Sequence, residues 1–254
     1  MIGIFDSGLG GLTALKELRR IRPDLDVLYY ADTARVPYGT RSPSTILRYG
    51  REALSYLAGQ RVDQILVACG TISSVALPTI MDTYPLPIWG VIHPAAKMAY
   101  EISQNKRIGV IATAATIQTG AFQSALREQG PVALWATPCP LFVPLVENGF
   151  TSPRQEVTRA TIRHYLAGAK QANIDTLILG CTHFPLLAAA IHDYLPHVKL
   201  VGAGEAAAQA LLRTHPRVGH GKLRVVVSDS PRDFRIQAEA FLGGSLPCRI
   251  EQKE

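Results

Sequence analysis

Two of the four cysteines in this chain of 254 residues lie in polar loops that directly follow short apolar runs. Cys69 ends the run ILVAC and opens the loop CGT, and Cys181 ends LILGC and opens CTH. Inverting an α-carbon requires a base on one face and an acid on the other, and a thiolate paired with a thiol meets that requirement. We therefore interpret Cys69 and Cys181 as opposed acid/base catalysts. Cys139 and Cys248, which have no such pairing, are interpreted as small buried apolar residues.

The residues beside these two cysteines bear on proton transfer. A free thiol titrates near about 8.5, and a helix N-terminus lowers the pKa of a cysteine, so the helix predicted after each loop favours the thiolate. Asp6 directly follows the first apolar run and His183 lies two residues after Cys181, which makes both candidate proton-transfer groups. The alternative for Asp6 is to cap the helix that starts near Gly10.

Short β-branched runs alternate along the chain with longer amphipathic stretches, a pattern typical of βαβ units and parallel sheets. Strands are predicted at residues 2–5, 27–31, 64–68, 88–90, 107–112, 132–136, 176–179, 199–201 and 223–227. Helices are predicted between most of them, for example at residues 43–57, 153–171 and 230–241. The fold class is therefore α/β.

An internal repeat places the cysteines relative to each other. IGIF at Ile2 resembles IGVI at Ile108, and VLYYA at Val27 resembles ALWAT at Ala133 with the same offset. ILVAC and LILGC follow at a slightly longer offset, so a cysteine comes after the third strand of each copy. Ligands of open α/β sheets bind beyond the carboxyl ends of the strands. The repeat predicts two similar parallel-sheet α/β lobes with an interlobe active-site cleft, although buried strands also resemble one another by chance.

Composition and motifs narrow the possible function classes. The 47% hydrophobic and 18% charged residues are typical of a globular chain, and no apolar run is long enough to span a bilayer. The N-terminus has no features of a signal peptide, so a cytoplasmic location is expected. No CxxC pair, zinc-ligand spacing, GxGxxG fingerprint or P-loop occurs, and we expect neither a metal nor a cofactor. The net charge of +6 fits a solvated surface or an anionic small substrate, with nucleic acid the weaker alternative.

At these residues the chain resembles the glutamate racemase family, and the resemblance runs nearly end to end. It is carried by IGIFDSGLGGLT, YADTARVPYG, VACGT, GVIHP, CPLFVPLVENG, LGCTHFPLL and SDSPRDF. It implies racemisation of L-glutamate to D-glutamate without cofactor or metal, which supplies peptidoglycan synthesis and so cell-wall biogenesis and cell shape. It also implies a homodimer and a C-terminal return to the first lobe. The expected lobes are residues 1–93 with 207–254, and residues 94–206.

The resemblance also implies roles for the residues that match its motifs. Cys69, Cys181, Asp6 and His183 are expected to be catalytic. The expected substrate-binding residues are Asp6, Ser7, Pro37, Tyr38, Gly39, Gly70, Thr71, Thr116, Glu147, Thr182 and His183. Hydroxyls and backbone amides among them can donate hydrogen bonds to substrate carboxylates. Glu147 is expected to orient the substrate amine or His183, with an exposed helix position as its alternative.

One departure from the family pattern lies beside the first cysteine. The usual loop reads Cys-Asn-Thr, whereas this chain reads Cys69-Gly70-Thr71. An asparagine amide both donates and accepts hydrogen bonds, but Gly70 offers only its backbone. If the pocket is otherwise that of the family, asparagine at position 70 should leave activity equal or raise it. The alternatives are a racemase or isomerase acting on aspartate or another dicarboxylate, and a catalytically weak homologue that acts as a binding protein.

Overall fold

The computed structural model describes residues 1–214 and 218–253, which form two parallel β-sheets with helices packed against them. Numbered in chain order, the strands are β1 Ile2–Asp6, β2 Val27–Ala31, β3 Gln64–Val67, β4 Ile88–Gly90, β5 Arg107–Ala112, β6 Ala133–Pro138, β7 Thr176–Leu179, β8 Lys199–Gly202, β9 Leu223–Val227 and β10 Ile250–Gln252. The helices are α1 Leu12–Ile21, α2 Pro43–Ala58, α3 Gly70–Val75, α4 Leu77–Ile80, α5 Ile92–Ile102, α6 Ala114–Thr119, α7 Ala121–Gln129, α8 Phe142–Glu147, α9 Glu156–Gln171, α10 Ala188–Tyr194, α11 Ala203–Leu212 and α12 Pro231–Leu242.

The two sheets share a strand order. The first runs β10-β9-β2-β1-β3-β4 and the second runs β6-β5-β7-β8, and neighbouring strands are parallel throughout. Without β9 and β10, the first sheet reads β2-β1-β3-β4, so β1, β2, β3 and β4 correspond to β5, β6, β7 and β8. The predicted pair of similar parallel-sheet α/β lobes is confirmed.

The strand register corrects one detail of the sequence repeat. Ile2 pairs with Val27 in the first sheet, whereas Ile108 pairs with Leu134 in the second. The comparison of VLYYA with ALWAT had aligned Val27 with Ala133, which is one residue out. Apolar runs can slide by one position in a sequence comparison and keep their character, but pairing of the backbones allows only one register.

The strands are apolar because helices cover both faces of each sheet. Every residue of β1, β2, β3 and β7 is buried, as expected of parallel strands with no face in water. The predicted bounds of five strands, residues 27–31, 88–90, 107–112, 176–179 and 223–227, match the observed ones. The short β10 was not predicted, since its sequence IEQ carries no strand pattern.

Local caps set where the long helices begin. Ser42 accepts a hydrogen bond from the Thr45 N–H at the start of α2, and Ser230 accepts one from Asp233 N–H at the start of α12. In both helices proline takes the first position, where it costs no intrahelical hydrogen bond. α9 begins at Glu156, later than predicted, because residues 153–154 form a turn. Over the described ranges no helix is both long and apolar enough to cross a membrane.

The lobes are joined through a common apolar core. Ile4 of β1 and Val110 of β5 belong to one buried cluster, together with Ala96 of α5 and Ala207 of α11. α5 packs against α11, and the lobe boundaries predicted at 93/94 and 206/207 fall within these two helices. The division at those residues stays a prediction. A core shared in this way keeps the two sheets in a defined relative position.

Candidate active site

The carboxyl ends of strands from both sheets open into one cavity of about 320 Å³. Ser7 follows β1, Cys69 lies beyond β3, Thr113 follows β5 and Cys181 lies beyond β7, and all four line the cavity. Parallel strands present their carboxyl ends at one edge, so each sheet supplies one side of the cleft. Both predicted cysteines therefore lie at the same interlobe cavity.

Most of the residues predicted from sequence line this cavity, namely Ser7, Pro37, Tyr38, Gly39, Cys69, Gly70, Thr71, Glu147, Cys181, Thr182 and His183. Asp6 and Thr116 do not. Asp6 is buried behind the lining, where Thr182 Oγ1 lies 3.4 Å from its carboxylate. Thr116 is buried as well, and its Oγ1 lies 3.0 Å from Thr113 Oγ1.

Size alone does not identify this site. A larger groove of about 1030 Å³ lies elsewhere, beside Trp89, Lys97 and Arg213. It contains neither Cys69 nor Cys181. The smaller cavity is the candidate active site because the paired thiols and the buried titratable groups converge there.

The second lobe contributes Cys181, His183 and Glu147, which we call the Cys181 wall. Cys181 Sγ lies 3.9 Å from His183 Nδ1, and His183 Nε2 lies 3.2 Å from Glu147 Oε1. The latter contact is an ion pair without the alignment of a hydrogen bond. Burial lowers the pKa of His183, but the contacts with Cys181 and Glu147 outweigh it and raise that pKa to about 10. His183 is therefore protonated near neutrality.

The first lobe contributes Cys69, Ser7 and Asp6, which we call the Cys69 wall. The Cys69 thiol is buried and donates to Ser7 Oγ at 3.7 Å. Burial, reinforced by the charge of Asp6, raises the pKa of Cys69 to about 12, although the Ile72 amide and the Ser7 hydroxyl lower it in part. Cys69 is thus a thiol near neutrality.

This outcome corrects the prediction that helix starts favour both thiolates. Cys69 does precede α3, but desolvation of a buried thiol outweighs the helix amides. Cys181 is followed by a 3-10 turn, Phe184–Leu187, and α10 begins only at Ala188. The second loop therefore has no α-helix start beside its cysteine.

Asp6 has a different role from helix capping. Its carboxylate accepts the Gly8 backbone N–H at 3.0 Å, whereas Gly11 is the N-cap of α1 and no side chain caps that helix. The capping alternative is therefore wrong. Burial raises the pKa of Asp6, and the charge of His183 together with nearby backbone amides opposes that rise only in part. A carboxyl group held in this way can exchange protons with its surroundings.

The loop that carries Tyr38 and Gly39 is anchored by a buried acid. The Tyr38 hydroxyl donates to Asp32, and Arg35 Nε donates to the same carboxylate at 2.6 Å. Arg35 also pairs with Glu52. These contacts hold the Pro37–Gly39 backbone against the cavity, because bonds that include a charged group are stronger than neutral ones.

Sequence reasoning missed several lining residues, among them Thr113. Its hydroxyl lies 3.1 Å from that of Thr71, so it connects the two lobes. The repeat could have found it, since Thr113 stands at the position in the second lobe that corresponds to Ser7 in the first. The other unpredicted lining residues are Val36, Thr40, Ala114, Cys139, Pro140, Val143, Pro144 and Gly180.

Cys139 lines the cavity but lacks polar neighbours of the kind that Cys69 and Cys181 have. It is fully buried, and burial raises the pKa of its thiol. Its Sγ has a distant contact, 4.0 Å, with the Thr137 carbonyl oxygen. Its surroundings agree with the interpretation of a small buried apolar residue.

Comparison with known proteins places these features in a family. The Asp/Glu/hydantoin racemase family matches residues 13–211. Glutamate racemase of Aquifex aeolicus is 43% identical, covering 98% of this chain and 96% of its own length. The structure of Francisella tularensis glutamate racemase in complex with D-glutamate has a TM-score of 0.89 at 33% identity and covers 98% of this chain and 95% of its own. A Bacillus anthracis glutamate racemase isoform has a TM-score of 0.93 at 30% identity, with 100% and 97% covered.

These matches span both lobes and both cysteine loops, and they agree in family from sequence and from fold. The sequence match at 43% identity and the structural match with a TM-score of 0.93 each extend over nearly the whole chain. The chain belongs to the glutamate racemases of the Asp/Glu/hydantoin racemase family.

Proposed function

We propose that this chain interconverts L- and D-glutamate by moving protons between the substrate α-carbon and two opposed cysteines, Cys69 and Cys181. The observation that carries this proposal is that both thiols line one interlobe cavity, each beyond the third strand of its sheet. One thiolate removes the α-proton, and the opposite thiol delivers a proton to the other face. The configuration inverts, and the two cysteines have exchanged their protonation states.

Unequal surroundings supply the starting protonation that this reaction needs. The pKa of about 12 keeps Cys69 a thiol. Protonated His183, 3.9 Å from Cys181 Sγ, stabilises a thiolate at Cys181. The two sides of the cavity therefore differ as an exchange of one proton requires, with a cation beside Cys181 and a protonated thiol at Cys69.

Asp6 and Ser7 support the proton transfers at Cys69. When Cys69 gives up its proton, the Ser7 hydroxyl at 3.7 Å can reverse its role and donate to the thiolate. Asp6, whose pKa is raised by burial, is positioned to hold or release a proton nearby. Each properly placed proton-transfer group contributes roughly 10²–10⁴-fold in rate.

The polar lining suits an amino acid with two carboxylates. Hydroxyls of Ser7, Thr71, Thr113 and Thr182 line the cavity and can donate to carboxylate oxygens. Glu147 is the acidic residue of the lining, and its side chain is 43% exposed, which leaves it free to accept the substrate ammonium group while it faces His183.

Glutamate is the proposed substrate, since the relatives that match this chain end to end are glutamate racemases. The difference from aspartate is one methylene, which is worth about 1–3 kcal/mol in a pocket. The decisive experiment incubates the protein with L-glutamate, D-glutamate and L-aspartate in deuterated water, with chiral analysis and α-proton NMR. We expect inversion and deuterium incorporation with both glutamate enantiomers. No exchange with glutamate at high protein concentration would overturn the proposal, and faster exchange with aspartate would reassign the substrate.

The product D-glutamate is proposed to supply peptidoglycan synthesis, as in the family. Growth of a D-glutamate-requiring bacterium on this gene without added D-glutamate is the test. A cytoplasmic location is proposed as well, because the reaction needs two free thiols and such thiols persist in reducing compartments. Fractionation of the native cells tests the location.

A homodimer is proposed from family membership. Exposed apolar side chains at Leu141, Phe150 and Val157 offer area for a second copy near the α8–α9 segment. Light scattering across a dilution series should give a mass twice that of the 27.5 kDa chain. A mass of one chain at all concentrations would overturn it.

A further inference from the structure

The two cysteine loops approach each other at their glycines. Gly70, the residue after Cys69, lies so near Gly180, the residue before Cys181, that a Cβ atom on Gly70 would overlap the Gly180 carbonyl oxygen. Thr116 Oγ1 is the next side-chain neighbour of that Cβ, at 4.0 Å. The first lobe therefore meets the second, at the level of the thiols, by backbone against backbone.

Neither partner in this contact can move aside. Gly180 donates its N–H to the Ile111 carbonyl oxygen at 2.8 Å, and Phe122 closes off the space behind it. On the other side, the Cys69 carbonyl oxygen accepts from the Ser73 N–H at 2.9 Å, which holds the start of α3. A new side chain at position 70 would have to separate the loops themselves.

Another glycine at the cleft provides a comparison. A Cβ on Gly39 would lie 2.8 Å from Thr113 Cβ, which is also too close. That neighbour is a side chain, whose position can adjust at lower cost than a hydrogen-bonded backbone. Of the two contacts, the one at Gly70 is the more rigid.

We propose that Gly70 is a positioning residue that sets the gap between the Cys69 and Cys181 loops, and hence the distance that the substrate α-carbon must bridge. The inference rests on the two-cysteine function proposed above and adds a spacing requirement to it. It reverses the expectation that asparagine at position 70 would be neutral or favourable. In this chain an asparagine side chain can enter only if the loops move apart.

Wider spacing has two consequences for the reaction. A displacement of about 1 Å from the reacting geometry can cost roughly 10²-fold in rate. A wider cleft also admits water, so that a thiol which has taken the α-proton can exchange it with solvent and return a deuteron to the same face. Exchange without inversion should then increase relative to inversion.

The experiment compares Gly70→Ala and Gly70→Asn with Gly59→Ala, an exposed control in which a Cβ has contacts no closer than 3.5 Å. Racemisation in deuterated water gives kcat, KM and the α-deuterium content of the recovered starting enantiomer, and circular dichroism gives Tm. We expect Gly70→Ala to lose about 10- to 100-fold in kcat, with deuterium appearing in recovered substrate and a modest fall in Tm from the overpacked contact. Gly70→Asn should lose more, and Gly59→Ala should match wild type.

Two results would overturn the proposal: wild-type kcat in Gly70→Ala, or a loss of kcat that follows a fall in Tm with no deuterium in recovered substrate. If Gly70→Ala does not fold, Gly39→Ala provides a second variant in which an added Cβ crowds the same cleft. It should show the same exchange signature with a smaller loss, and an unchanged exchange ratio in Gly39→Ala would then count against spacing. Failure of the two-cysteine function is distinguished by an active Cys69→Ser or Cys181→Ser protein, whatever the Gly70 variants do.

Discussion

The Cys69 wall and the Cys181 wall come from corresponding strands of the two lobes, but they differ in charge. Cys69 is buried beside an acid, Asp6, and a hydroxyl, and its pKa is raised to about 12. Cys181 lies 3.9 Å from His183, which is held protonated.

The difference arises from the residues that the repeat does not share. At equal distances after the two cysteines, the first lobe has Thr71 and the second has His183. A duplicated framework therefore places two thiols at one cavity, and the unmatched neighbours give them different surroundings, a cation beside Cys181 and an acid beside Cys69. Substitutions that remove different parts of this difference between the two walls should lower activity to different extents.

Removal of either thiol should have the largest effect. Cys69→Ser and Cys181→Ser are each expected to lower kcat by roughly 10²–10⁴-fold, since a serine hydroxyl is a poor acid and base at neutral pH. Racemisation followed by circular dichroism measures the loss. Cys248→Ser, a half-buried cysteine outside the cavity, is the matched control and should keep full activity. Full activity in either cavity variant would refute the two-base assignment.

Removing the positive charge of His183 should have the next largest effect on activity. His183→Asn removes the charge that stabilises the Cys181 thiolate, and we expect kcat/KM to fall by about 10²-fold. His164→Asn, an exposed histidine on α9, serves as the control. A His183→Asn protein as active as the control would show that Cys181 does not depend on this cation.

The same histidine predicts a pH dependence of stability. The folded-state pKa of about 10 lies above the ordinary value of 6.5, so the stabilisation from protonated His183 is complete below pH 6.5 and is lost as the pH rises through about 10. The free energy of unfolding of the wild type, measured with urea, should therefore fall towards that of His183→Asn across this window. Parallel pH curves for the two proteins would contradict the assignment.

Removing the carboxylate of Glu147 that faces His183 should have a moderate effect on activity. Glu147→Gln removes the anion 3.2 Å from His183 Nε2, and we expect about a tenfold loss of kcat/KM and a lower pH limit for activity on the alkaline side. The control is Glu128→Gln, whose carboxylate faces the exposed His93 at 3.5 Å. A pH profile of kcat/KM whose alkaline side is unshifted would mean that Glu147 does not raise the pKa of His183.

Loosening the loop that carries Tyr38 and Gly39 should have the smallest effect on activity. Tyr38→Phe removes the hydroxyl that donates to Asp32, and we expect KM to rise about fivefold with little change in kcat, in line with a loss of about 1 kcal/mol in binding. Tyr84→Phe, which removes an exposed tyrosine hydrogen bond to the Arg51 carbonyl oxygen, is the control. Equal KM values in the two variants would show that the Asp32 anchor does not affect binding.

Much of the fold could be predicted because its signals are local. Buried parallel strands carry uninterrupted apolar runs, and the repeat related three of them before any pairing was known. The helices predicted at residues 43–57 and 230–241 begin within one residue of the observed starts, where Ser42 and Ser230 make cap contacts within four residues. The late start of α9 and the short β10 were not predicted, because a turn and a contact with β9 decide them.

The candidate site also has features that the sequence predicted and features that it did not. The loops that line the cavity follow strand ends, so their membership could be predicted, and Thr113 was missed only because the repeat was applied to the cysteines alone. The protonation of the site was predicted incorrectly at Cys69, since a nearby helix start was visible in the sequence and the extent of burial was not.

By itself, the sequence determined that two strand-end loops carry cysteines and that these loops belong to corresponding positions in a duplicated α/β framework. Only the tertiary structure decided what each loop meets: Asp6 at Cys69, Glu147 at His183, and Gly180 at Gly70. The physical reason is separation along the chain. Strand patterns depend on neighbouring residues, whereas desolvation, charge pairing and backbone contact across the cleft depend on how two distant lobes come together.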